Sequence, residues 1–175
     1  RPYSIPDLLI LLFLAQFISM GVLSYTVKDI LIFLSYLSFW GFLVFGSEAK
    51  HKQPSREKVN PIIPYLFLIV PLAVSLFYNI VSIFFVFLIG LFSILYIYKN
   101  EPFYGSFSFI SRGLYQASLF LFAVSLYINS MNELIFLIAV AIFLVYSARN
   151  LLGDVRDIKF DRHTFPAKYG VKTSS

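Results

Sequence analysis

The sequence predicts an all-α membrane protein with about six transmembrane helices. Of its 175 residues, 59% are hydrophobic and 13% are charged, whereas a soluble domain carries about 25% charged residues. The apolar residues fall into runs close to the roughly 20 residues that a membrane-spanning helix needs. Lys and Arg lie almost entirely on one side of the resulting array of helices. These three observations place residues 1–175 in a single transmembrane domain.

Six apolar runs define the predicted helices. They cover residues 6–25, 30–47, 61–78, 80–98, 109–128 and 134–152. The connections alternate between short turns and two longer polar loops, a basic loop at 48–60 and a second loop at 99–108. A charged segment, 153–175, follows the last run. Pro64 and Pro71 interrupt the third run, which predicts a kinked helix.

The positive charges sort by side of the membrane. Thirteen of the fourteen Lys and Arg residues fall at one face of a six-helix array, and Lys28 alone falls at the other. The thirteen are Arg1, Lys50, Lys52, Arg56, Lys58, Lys99, Arg112, Arg149, Arg156, Lys159, Arg162, Lys168 and Lys172. An excess of Lys and Arg marks the cytoplasmic loops of membrane proteins. The sequence therefore predicts a multi-pass protein with both termini and both longer loops in the cytoplasm.

Three aspartates follow the last apolar run. If the sixth helix continues past Leu152, then Asp154, Asp157 and Asp161 fall at positions i, i+3 and i+7. These positions span about 60° of the helix circumference, so the three carboxylates share one face. Carboxylates that repel one another favour a divalent cation, and Mg²⁺ commonly bridges protein carboxylates to phosphates. The alternative is a solvated charged interface at the membrane exit, and spacing alone leaves both open.

The run "ARNLLGDVRDIKFDRHTFPAKYG" resembles the second aspartate-rich motif of the UbiA superfamily of intramembrane prenyltransferases. The matching residues are Arg149, Asp154, Asp157, Asp161, Thr164, Pro166 and Gly170. The run "LYIYKNEPFYGSF" resembles the loop between the fourth and fifth helices of that family, through Tyr96, Lys99 and Gly105. The resemblance implies a UbiA-like helical bundle, as a shortened version of the family's nine-helix fold.

Members of that family hold a prenyl diphosphate with Mg²⁺ and pass the prenyl group to a membrane-soluble acceptor. The resemblance implies that Asp154, Asp157 and Asp161 hold the metal. Candidate diphosphate ligands are Arg149, Lys99, Arg156, Lys52 and Arg56, and candidate cavity-lining residues are Tyr96, Arg112 and Gln116. Two alternatives stay open: cations of the basic loop serve only orientation or anionic lipid, and Arg112 extends to the membrane interface.

Two departures from the family leave the function open. Residues 47–60, where the family carries its first aspartate-rich motif, contain no aspartate, and the family's last three helices have no counterpart. The first hypothesis is a prenyltransferase. The second is a catalytically silent UbiA-like protein that binds a lipid or quinone or serves as a structural subunit of a membrane complex. The third is one part of a longer enzyme. The acceptor cannot be read from the sequence, and no nucleic-acid partner is predicted.

Overall fold

The computed structural model describes residues 4–23, 25–50, 60–156, 158 and 163–170. The helices in these residues are α1 (Ser4–Met20), α2 (Val27–Lys50), α3 (Ile63–Leu66), α4 (Ile69–Tyr78), α5 (Ser82–Ile97), a 3-10 helix (Gly105–Phe107), α6 (Ser108–Tyr127), α7 (Glu133–Arg156) and α8 (Phe165–Tyr169). Within the described ranges no strand occurs, which confirms the all-α prediction. The predicted site residues Lys52, Arg56, Asp157 and Asp161 lie outside these ranges.

Three helical stretches in the described part of the chain are long and apolar enough to cross a membrane. They are Val27–Lys50, Gly105–Tyr127 and Glu133–Arg156. The other apolar helices are shorter, at Ile5–Met20, Ile63–Tyr78 and Ser82–Ile97. A helix of about 16 residues is about 24 Å long, which is less than the hydrocarbon thickness of about 30 Å. Membrane crossing is thus supported for three helices, and six spans stay a prediction.

Two of the shorter helices are limited by particular residues. Helix α1 ends at Met20 because Gly21 adopts a positive φ of 71° and donates its backbone N–H to the Phe17 carbonyl at 2.8 Å. This is a common helix stop, since glycine accepts a left-handed conformation without a steric cost. The third predicted helix is divided between α3 and α4 rather than simply kinked. Pro71 has no N–H to donate to Phe67, and the break falls at 67–68.

Helix α6 occupies the centre of the bundle, where it packs against α1, α5 and α7. Of its apolar stretch 72% is buried, against 22% for α7. Helix α2 packs against α1, α4 and α5 on the other side. The two sides meet where Phe39 of α2 contacts Phe122 of α6 edge to face, with ring centroids 5.3 Å apart. Nearby, the buried Tyr36 hydroxyl donates to the Leu119 carbonyl at 2.8 Å.

The outer surface of the bundle is apolar along whole helix faces. Leu137, Val140 and Leu144 form an exposed stripe on α7 at positions i, i+3 and i+7. Phe84, Phe87 and Leu91 form a second such stripe on α5. Soluble monomers rarely expose continuous apolar faces of this extent. The exposed stripes therefore fit a bundle surrounded by lipid.

Candidate functional site: a cationic cavity

A cavity of about 750 Å³ opens at the end of the bundle where α2 and α7 finish. Its polar lining comes from several parts of the chain: Asp7, Ser47, Glu48, Tyr96, Lys99, Arg112, Tyr146, Arg149, Asn150, Asp154 and Arg156. Helix α2 contributes the apolar residues Trp40, Leu43 and Val44, which form an apolar wall, and also Ser47 and Glu48 closer to its end. The cavity therefore has a charged wall and an apolar wall, which suits a ligand with one anionic and one oily part.

Six residues predicted from the sequence line this one cavity. They are Tyr96, Lys99, Arg112, Arg149, Asp154 and Arg156. Gln116, also predicted to line it, is buried one helical turn further along α6 and is absent from the lining. Of the predicted aspartates, Asp154 belongs to the described residues. The six lining residues come together because α5, α6 and α7 run antiparallel to one another. The polar end of α5, the start of α6 and the end of α7 therefore lie at the same end of the bundle.

Asp154 lies on the last turn of α7, which continues beyond Leu152 to Arg156. The residue is 3% exposed. The Ser108 hydroxyl donates to its Oδ2 atom at 2.6 Å, and the Lys99 ammonium lies 4.0 Å from its Oδ1 atom. These contacts tie the start of α6 and the second loop to the end of α7. A buried carboxylate needs such partners, because desolvating an unpaired charge is costly.

The two stretches that carry the UbiA resemblance touch each other. A Cβ atom on Gly105 would lie 2.2 Å from the His163 carbonyl oxygen and 2.5 Å from the Lys99 carbonyl oxygen. Only glycine fits at this crossing of two backbones. The Lys168 ammonium also donates to the Pro102 carbonyl. The second loop and the segment that contains α8 therefore form one surface beside the cavity.

The arginines of the cavity differ in their surroundings. The Arg149 Nη1 atom lies 2.7 Å from Asp7 Oδ2, across the mouth between α7 and α1. The Arg112 guanidinium instead lies over the rings of Tyr96 and Tyr115, at 5.5 and 5.0 Å from their centroids. Its Nη1 atom is buried and forms no hydrogen bond within the described chain. Arg149 is thus already paired with a carboxylate, whereas Arg112 keeps an unused donor.

The charges that line the cavity leave it cationic. Four cations, Lys99, Arg112, Arg149 and Arg156, face three acids, Asp7, Glu48 and Asp154, which gives the lining residues a net charge of +1.

Sequence reasoning missed Asp7 and Asn150 in this lining. Asn150 had a detectable signal, since it lies four residues before Asp154 and so shares its helix face. The only sequence signal for Asp7 was its position at the start of the first helix, which is predicted to lie on the same side of the membrane as Arg149.

Carboxylate oxygens are the protein ligands that Mg²⁺ prefers. Asp154 supplies one such group on the cavity wall. Among the residues with described positions, no three Asp, Glu or His side chains come close enough together to hold a metal ion. The rest of the predicted carboxylate set, Asp157 and Asp161, lies outside those positions.

Comparisons of the chain with protein-family models, with curated proteins and with solved structures gave no match. What the cavity does must therefore be inferred from its own residues. The features that any function has to explain are its net positive charge, its apolar wall and the conjunction of Lys99, Arg112 and Asp154.

Proposed function

We propose that this chain is a UbiA-like intramembrane prenyltransferase that binds a prenyl diphosphate with Mg²⁺ in the cationic cavity. One observation carries the proposal. Three stretches that are far apart in the sequence supply the cavity with the residue types that a diphosphate needs: Tyr96 and Lys99, then Arg112, then Arg149, Asp154 and Arg156. Arg and Lys are the usual protein partners of phosphate.

The two walls of the cavity suit the two parts of such a substrate. Lys99, Arg149 and Arg156 would hold phosphate oxygens, and Asp154 with Asp157 and Asp161 would hold the metal. Bound Mg²⁺ would supply charge neutralisation for the departing diphosphate. The apolar α2 wall, which includes Trp40, would contact the prenyl chain.

In the proposed reaction the bond between C1 of the prenyl chain and the diphosphate oxygen breaks. A bond from C1 to the acceptor forms, and the acceptor loses a proton.

We further propose six membrane crossings with both termini in the cytoplasm. The described cations at the cavity end are Lys50, Lys99, Arg112, Arg149, Arg156 and Lys168, and Lys28 lies at the other end. This asymmetry is what the positive-inside rule expects. The chain has no native cysteine, so Ser130→Cys and Asn100→Cys can be labelled singly in intact cells. A reagent added outside the cell is expected to label Ser130→Cys and not Asn100→Cys. The opposite result would show that the orientation is the reverse of the proposed one.

The central test measures Mg²⁺-dependent binding of farnesyl diphosphate, and pyrophosphate release, by the purified chain in phosphatidylcholine nanodiscs. Asp154→Asn is expected to weaken binding about tenfold or more, because it removes a charged ligand. Glu133→Gln is the matched control, since Glu133 is an exposed acid at the opposite end of the same helix. Equal effects of the two changes, or binding that survives a chelator unaltered, would count against a metal–diphosphate site.

A catalytically silent UbiA-like protein is the second candidate, as a lipid- or quinone-binding or structural subunit of a membrane complex. Residues 47–60 contain no aspartate, and Arg149 is already paired with Asp7 at 2.7 Å. Both features reduce the charge available to a leaving diphosphate. This candidate predicts farnesyl diphosphate binding, or quinone binding, without pyrophosphate release in the presence of any acceptor offered.

A further inference from the structure

Two buried hydrogen-bond donors on the cavity wall have no acceptor in the described chain. They are the Nη1 atom of Arg112 and the Nδ2 atom of Asn150. Both residues line the cavity, from α6 and α7 respectively. In native proteins about nine in ten buried polar groups or more are hydrogen-bonded, so an exception needs a physical reason. Eight buried side-chain atoms of the described residues lack a partner, and these two are the ones whose residues line the cavity, where a ligand can supply the missing acceptors.

The position of these donors along the helix pair brings them to the same level. Helices α6 and α7 run antiparallel, and on one side the Ser108 hydroxyl donates to Asp154 at 2.6 Å. On the other side a Cβ atom on Gly113 would lie 2.0 Å from the Ser147 hydroxyl, so the helices touch there. Arg112 lies one turn after Ser108, and Asn150 lies one turn before Asp154. Both therefore lie between two fixed contacts of the same helix pair.

Arg112 is also held in place without being neutralised. The rings of Tyr96 and Tyr115 lie 5.5 and 5.0 Å from its guanidinium carbon. Such cation–π contacts orient the guanidinium but provide no hydrogen-bond acceptor in its plane. The nearby cations differ, because Arg149 bonds Asp7 and Lys99 approaches Asp154. Among these three, Arg112 has the donor that is ready for an incoming oxygen.

We propose that Arg112 and Asn150 together bind the oxygens of one phosphate group of an anionic ligand, with the Ser108–Asp154 contact fixing the distance between them. The assignment of that phosphate to a prenyl diphosphate rests on the proposed function; the phosphate site itself does not. The pair adds an anchor that is independent of the metal and separate from the Arg149–Asp7 ion pair. A planar guanidinium from α6 and an amide from α7 that line one cavity can each donate to an oxygen of the same phosphate group.

The test compares three variants in phosphatidylcholine nanodiscs, with inorganic pyrophosphate and farnesyl diphosphate as probes. Asn150→Asp keeps the shape of the side chain but offers Arg112 an acceptor of its own. It is expected to raise the melting temperature without ligand and to weaken binding of both probes at least tenfold. Arg112→Gln is expected to weaken binding to a similar extent. Ser93→Ala removes another unpartnered buried hydroxyl, on α5, outside the lining, and is expected to leave binding unchanged.

The outcomes separate this site from the proposed function. Wild-type farnesyl diphosphate binding that neither Asn150→Asp nor Arg112→Gln weakens would overturn the site and leave the prenyltransferase proposal intact. Pyrophosphate binding that depends on both residues, without farnesyl diphosphate binding, would support the site and reject the prenyl substrate. Weaker pyrophosphate binding by the wild type in nanodiscs that contain phosphatidylglycerol, with no further weakening in Arg112→Gln, would support the site and identify a lipid headgroup as the source of the phosphate. Absence of binding to both pyrophosphate and farnesyl diphosphate would overturn both proposals.

Discussion

Two buried polar clusters, one at each end of the bundle, differ in whether their hydrogen bonds are complete. At the far end Asp29 is 8% exposed, and both of its carboxylate oxygens accept hydrogen bonds from the protein. At the cavity end Arg112 and Asn150 keep donors without an acceptor in the described residues. A complete cluster has little left to offer a ligand and chiefly stabilises the fold. An incomplete cluster costs stability unless something else binds there.

The Asp29 cluster connects three helices. The Thr26 backbone N–H and hydroxyl both donate to Asp29 Oδ2 at 2.6 Å, which closes a capping box at the start of α2. The Gln16 amide of α1 donates to Oδ1 at 3.0 Å, and the Tyr127 hydroxyl of α6 donates to the same oxygen. A single carboxylate therefore fixes α1 and α6 against the start of α2, away from the cavity.

Removing the carboxylate at the far end is expected to cause the largest loss of stability. Asp29→Ala removes the carboxylate to which Gln16 and Tyr127 donate, which should lower the free energy of unfolding by about 3 kcal/mol. Thermal unfolding in detergent measures the change, with Glu133→Gln as the exposed acidic control. Below the new melting temperature, pyrophosphate binding should match that of the wild type. An unchanged melting temperature would show that the cluster does not stabilise the bundle as its hydrogen bonds indicate.

Widening the contact between α6 and α7 should have an intermediate effect that reaches both stability and binding. In Gly113→Ala the new methyl group meets the Ser147 hydroxyl at 2.0 Å and the Phe143 carbonyl oxygen at 2.6 Å. Overpacking of this kind costs about 2 kcal/mol and should separate Arg112 from Asn150, which weakens pyrophosphate binding.

Gly90→Ala is the matched control for that change. A Cβ on Gly90 of α5 meets nothing within 4 Å, and alanine favours a helix over glycine by about 0.5–1 kcal/mol. It should therefore leave stability equal or higher and binding unchanged. A Gly113→Ala variant as stable as Gly90→Ala would mean that the two helices separate more easily than their contact suggests.

The sequence predicts the helices better than the contacts between them. Hydropathy locates the apolar runs because the free energy of moving an apolar side chain out of water depends on the side chain itself and not on its neighbours. It overextends the first helix to residue 25, since the stop depends on the backbone conformation of Gly21. Asp154 and the four cations of the cavity lining were predicted from spacing and resemblance. Asn150 and Asp7 were missed because their neighbours depend on how each helix is rotated and tilted, which a pattern along one chain does not specify.

Neutralising Asp7 should have the smallest effect on stability and an opposite effect on binding. The Arg149–Asp7 pair is partly exposed, with the arginine side chain 56% exposed, and such pairs contribute less than about 1 kcal/mol. Asp7→Asn should therefore change the melting temperature little. It removes one of the three acids of the lining, releases Arg149 and raises the net charge of the cavity. An anion should then bind about fivefold more tightly, equivalent to about 1 kcal/mol.

Glu101→Gln is the control for Asp7→Asn, because it breaks the exposed ion pair with Lys50 at 3.1 Å outside the cavity lining. Titration of inorganic pyrophosphate at two salt concentrations compares the two variants. Since the gain is electrostatic, it should shrink at the higher salt concentration. Tighter binding in Asp7→Asn alone would show that Asp7 holds Arg149 until an anion replaces it. Weaker binding would instead make the Asp7 carboxylate part of the ligand site, and the cavity end would then be more complete than its unpartnered donors suggest.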